Sequence, residues 1–112
     1  MTEAHLYALQ RLSAVVMAPL VITHLITIMI AVQGGLTAEE ILARTQGLSI
    51  WAVFYTVFVL AVAVHAPLGL RKILIEWLKF STRLANGVAL ILTMGVLALG
   101  FRAVMAVTGG GA

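Results

Sequence analysis

Residues 48–70, LSIWAVFYTVFVLAVAVHAPLGL, run for 23 positions without an acid, a lysine or an arginine. At a rise of about 1.5 Å per residue, such a run crosses a hydrocarbon core about 30 Å thick. Two similar runs flank it: residues 13–32 give 20 positions, and residues 84–101 give 18 before Arg102. Arg102 falls near the end of the third run, where a long side chain reaches the headgroups, so that span is expected to continue to about residue 107. The expected fold is all-α: a polytopic membrane protein with three transmembrane helices, at about 12–33, 48–71 and 84–107, forming one domain over residues 1–112.

Composition agrees. The chain is 62% hydrophobic and only 10% charged, with a mean hydropathy of +1.13, which leaves too little polar surface for a water-exposed fold. A formal charge of +3 and a pI near 10.0 raise the question of nucleic acid. Seven Lys and Arg form no basic stripe, however, and membrane-flanking charge accounts for them, so no nucleic-acid partner is expected. There is no cysteine, which removes disulfides, iron–sulfur ligation, thiolate catalysis and covalent c-type haem from this chain's repertoire. Any haem must be held non-covalently.

The connections are short. Gln33-Gly34-Gly35 ends the first span, and Thr37-Ala38-Glu39-Glu40 reads as a capping box, predicting a short interfacial helix over 38–45 before Gly47. Residues 71–83 join the second and third spans, and Thr108 to Ala112 reads as a flexible tail. Arg11, Arg71, Lys72, Lys79 and Arg83 fall on one side of the membrane, and Arg44 and Arg102 on the other. That asymmetry puts the N-terminus and the second loop in the cytoplasm. The first span reads as retained, because its apolar run is too long for a signal peptide and no small-x-small site follows Ala31. No internal repeat of the transporter kind is evident.

Ionisable residues at membrane depth are costly, which makes each a functional candidate. His24 and His65 qualify; His5 precedes the first span. On a continuous helix His65, Gly69, Lys72 and Glu76 share one face, and Gly69 removes the side chain that would collide with a flat ligand. Arg71 and Lys72 follow at the boundary, in reach of haem propionates or phospholipid headgroups. Pro67 lacks an N–H and predicts a kink. The residues alone leave two readings of His65: an axial ligand of haem, or an imidazole bonded to a neighbouring helix. His24 lies about 20 Å of helix beyond Arg11 and His65 about 9 Å from Arg71, so the two are unsuited to clamping one iron. His24 reads either as the ligand of a second, deeper haem or as a bond to a neighbouring helix. Arg11 and Ser13 open the first helix at the level where Glu76 and Trp77 close the second. A cation, a hydroxyl, a carboxylate and an aromatic there suit a quinone headgroup, while plain interfacial anchoring, with Glu76 paired to Lys72, is the competing reading.

Arg11-Leu12-Ser13-Ala14 is similar to the Arg-x-Ser/Thr-Gly/Ala that opens the first span of the cytochrome b anchor subunits of succinate dehydrogenase and fumarate reductase. His65-x-x-x-Gly69-x-Arg71 followed by Glu76-Trp77 resembles a second segment of that family. The resemblance implies that His65 is an axial ligand of haem b, with the opposite ligand on a second anchor subunit. It implies that Arg11 and Ser13 serve the quinone site or the propionates and that Glu76-Trp77 lies close by. A histidine placed like His24 resembles the distal-haem ligand of the family's di-haem branch. The implied partners are that second anchor, an iron–sulfur subunit and a flavoprotein that carries out the dicarboxylate chemistry. The implied quinone is ubiquinone or menaquinone, and the implied location is the bacterial inner (cytoplasmic) membrane. Two departures stand out: Gln10 occupies the place of a histidine in many C-type anchors, and Trp77 that of a tyrosine in D-type anchors. Arg71 and Ser13 favour C-type and Ala14 favours D-type. Two other functions fit the same spans: a haem-free structural anchor and an accessory subunit of an unrelated membrane transporter.

Overall fold

The computed structural model describes residues 2–47 and 49–109, and among these there is no strand. Four helices follow one another: α1 (Glu3–Gly34), α2 (Ala38–Thr45), α3 (Ser49–Glu76) and α4 (Thr82–Thr108). Three of them, α1, α3 and α4, are long and apolar enough to cross a membrane. The molecule measures 47 × 26 × 23 Å, and its long dimension matches a bilayer of about 40–45 Å with its headgroups. Leu48, the first residue of the expected second span, and the tail beyond Gly109 lie outside the described residues.

Helix boundaries follow from local chemistry. Thr2 caps α1 by accepting from the His5 N–H at 3.2 Å, and His5 Nδ1 accepts from the Thr2 N–H at 3.3 Å, a capping box with histidine in the usual Glu/Gln position. As a result α1 begins at Glu3 rather than near residue 12. The extra turns carry Tyr7, Gln10 and Arg11, side chains suited to the interface rather than the hydrocarbon. Similarly, α3 continues past residue 71 to Glu76, since nothing in Arg71-Lys72-Ile73-Leu74-Ile75-Glu76 breaks a helix. Thr37 caps α2 and Ser81 caps α4, each hydroxyl accepting an N–H three residues on. The interfacial helix runs from Ala38 to Thr45, as its capping residues predict.

The middle span is the hub, since α1 and α4 each pack mainly on α3. Small residues set the closeness of the α3–α4 contact: Ala61, Ala63, Ala85 and Ala89 are buried, and a Cβ added to Gly100 would meet Val59 Cγ1 at 2.6 Å. Pro67 is fully buried within α3. Its missing N–H frees the Ala63 carbonyl, and the Thr93 hydroxyl of α4 donates to that oxygen at 3.2 Å. At the opposite end, α2 is tied to the end of α4: the Thr45 hydroxyl donates to the Val107 carbonyl and the Gly47 N–H to the Thr108 carbonyl. By contrast, the most apolar 18-residue window of α1 contains no buried residue, and Val15, Ile22 and Val32 stand open.

Candidate functional site

The α1–α3 contact is antiparallel, and it sets the histidines at two depths. Near the start of α1 Gln10 and Ser13 face His65 and Gly69; further along, His24 meets Tyr55 and Phe58. Tyr55 and Phe58 precede His65 by about 15 and 10 Å of helix. The two imidazoles are therefore separated along the membrane normal, as their distances from Arg11 and Arg71 predict.

His65 Nδ1 lies 3.2 Å from the Gln10 carbonyl oxygen and 3.3 Å from Ser13 Oγ. The Ser13 hydroxyl donates its own hydrogen to the same Gln10 carbonyl at 2.8 Å. Both groups facing Nδ1 thus present lone pairs, so Nδ1 carries the proton and donates. In the neutral form of the ring the free lone pair then lies on Nε2. This is the arrangement in which a protein orients a histidine toward a metal. Gly69 lies against α1 one turn further along, where a Cβ would sit 3.1 Å from Gln10 Nε2.

His24 is held differently. Its ring takes the edges of Tyr55, at a centroid distance of 5.9 Å, and Phe58, at 5.2 Å, while its buried Nδ1 has no hydrogen-bond partner among the described residues. Thr27 donates to the His24 backbone carbonyl and leaves the ring alone. The side chain borders two apolar hollows, one of about 300 Å³ toward α2 and one of about 780 Å³ between α3 and α4.

At the end of the bundle where α1 begins and α3 closes, a cavity of about 290 Å³ is lined by Glu3, Tyr7, Gln10, Arg71, Lys72 and Glu76, among others. Arg71, expected at the boundary facing propionates or headgroups, is buried and committed to the bundle. It makes a bidentate pair with Glu3 at 2.6 and 3.1 Å and donates from Nε to Asn86 Oδ1 at 2.5 Å, joining α1, α3 and α4. That is the only ion pair among the described residues, so the Glu76–Lys72 pairing their spacing allows is not formed. Instead Lys72 Nζ and the Arg11 guanidinium approach the Tyr7 ring, at 5.8 and 5.7 Å, and Arg11 also donates to the Tyr7 hydroxyl at 3.3 Å.

Of the four residues expected to form a headgroup site, only Glu76 lines this cavity. Ser13 is buried beside His65, Arg11 stands behind Tyr7, and Trp77 is 79% exposed just past the end of α3. Sequence reasoning missed Glu3, Tyr7, Gln10 and Asn86. For Tyr7 a signal existed: it precedes Arg11 by one helical turn on an interfacial face. The other three act through long-range contacts or a backbone atom that no local pattern marks.

Fold and site together define a polytopic α-helical membrane protein with one oriented imidazole between two of its spans. Residues 1–107 match the sequence model of the succinate dehydrogenase/fumarate reductase transmembrane subunit, and the chain belongs to that family. It is a transmembrane anchor subunit of the complex II type. No curated protein and no solved structure matches it.

Proposed function

We propose that the chain anchors a succinate:quinone oxidoreductase in the membrane, holds haem b through His65 and supplies part of the quinone site. The observation that carries this reading is the approach of His65 Nδ1 to the Gln10 carbonyl and the Ser13 oxygen, from which the tautomer is inferred. Its Nδ1–H is directed at the Gln10 carbonyl and Ser13 oxygen, leaving Nε2 as the free donor. Such an imidazole fits a porphyrin, for which one chain need provide one ligand; a second anchor subunit supplies the other. Among the described residues no three His, Asp or Glu gather to hold a bare metal ion. Haem b, when bound, supplies a one-electron redox centre within the membrane. Among the described residues none orients His24 Nδ1 as Gln10 and Ser13 do His65, and we assign a single haem to the chain on that difference.

The cavity beside Tyr7 is the quinone site in this reading. Tyr7 and Lys72 bring donors for a quinone oxygen, and Glu76 is a carboxylate positioned to pass a proton. Arg11 supports Tyr7 from behind, and Trp77 stands at the interface. In this reading the basic residues at this end, Lys79 and Arg83 among them, face the cytoplasm of a bacterium, the side on which the iron–sulfur and flavoprotein subunits would dock. A reduced-minus-oxidised optical spectrum of the purified complex tests the proposal. A b-type α-band is expected in the wild type and is lost in His65→Ala; a wild-type complex without that band ends the haem reading.

A further inference from the structure

Ser13 is the only buried residue of α1, yet it lines none of the three cavities described above. A serine within a membrane helix commonly returns its hydroxyl to a carbonyl one turn back, and Ser13 does so to Gln10 at 2.8 Å. Here that bond has a second effect. With its hydrogen spent on Gln10, the oxygen presents only lone pairs to His65 Nδ1 at 3.3 Å. The Gln10 carbonyl, at 3.2 Å, does the same. Two acceptors from α1 therefore share one imidazole N–H from α3.

We propose that Ser13 is a positioning residue for His65: its hydroxyl, with the Gln10 carbonyl, holds the ring in the Nδ1–H tautomer, and it makes no contact with the quinone. The proposal rests on His65 as a haem ligand and reassigns the role that resemblance gives Ser13. Acceptors on the far nitrogen strengthen an imidazole as an electron donor and favour the ferric state. Removing one of them weakens that donation.

The test uses the purified multi-subunit complex. Ser13→Ala is expected to keep the b-type band, raise the haem midpoint potential and leave the KM for quinone within about twofold. Ser13→Thr, which keeps a hydroxyl able to bond the carbonyl one turn back, is expected to restore the wild-type potential. A Ser13→Ala complex with an unmoved potential and a KM for quinone raised tenfold would make Ser13 a quinone contact and overturn the assignment. Nitrogen NMR of histidine-labelled complex decides the tautomer independently of any haem. Nδ1–H on His65 is expected, and Nε2–H overturns the proposal. A wild-type complex with no haem band but an Nδ1–H tautomer would sink the haem reading while leaving the positioning role standing.

Discussion

Glu76 is the one carboxylate of the cavity beside Tyr7 with no cation at ion-pair distance among the described residues, because Lys72 leans onto Tyr7 and Arg71 is taken by Glu3. Glu76→Gln keeps the shape and removes the exchangeable acid. The ratio of quinone-linked to dye-linked succinate oxidation is expected to fall about tenfold or more, within the usual contribution of a positioned proton donor. An unchanged ratio would return Glu76 to plain interfacial anchoring. At this scale the sequence was informative wherever a side chain stands out against its surroundings. His65 was legible because an imidazole in an apolar run needs a reason. Its orienting group was not, because Gln10 contributes a backbone carbonyl that any residue carries. Arg71 was legible as a boundary cation, but its partner lies 68 positions away in Glu3, and no local pattern reports such a pairing.

Elements were legible to the extent that their ends are locally encoded. The bounds of α2 follow from Thr37 and Gly47, both within a turn of the helix they limit. The start of α1 was read too late, since apolar runs mark the hydrocarbon layer and not the helix, whereas Glu76 was already read as closing the second helix. Charged turns extend both helices into the interface. Pro67 was visible as a point of weakness in the second span; the repair supplied by Thr93 from the next helix was not. Thr93→Val leaves the Ala63 carbonyl unpaired in an apolar surrounding at almost constant volume. It is expected to destabilise the α3–α4 pair by about 1 kcal/mol, the scale of interhelical hydrogen bonds in membranes. The check is a denaturation series in mixed micelles, in which an unshifted midpoint would show that the carbonyl finds another donor. Gly100 acts at the same seam: any side chain there would have to displace Val59.

The whole molecule is two contacts meeting on one helix. With α1 and α4 each packed mainly on α3, apolar faces of both outer spans remain open, α1 above all. Lipid covers an apolar face adequately, but the proposed haem ligation through His65 would call for a second subunit against these spans. Expressed alone, the chain is expected to be degraded or to migrate as a mixture of oligomers. Co-expressed with a second anchor subunit, it should yield one sharp species on gel filtration and accumulate several-fold more protein. Equal recovery in both cases would show that three spans are sufficient by themselves.

Timing adds a constraint that the finished fold conceals. The Glu3–Arg71 pair closes a loop of 68 residues, so during translation the acid leaves the ribosome long before the base is made. At elongation rates of about 5–20 residues per second the interval is roughly 3 to 14 s. Until the middle helix follows, Glu3 is left to water, which its side chain still meets in the finished fold at 74% exposure, and the tie between the first and second spans forms only once Arg71 arrives.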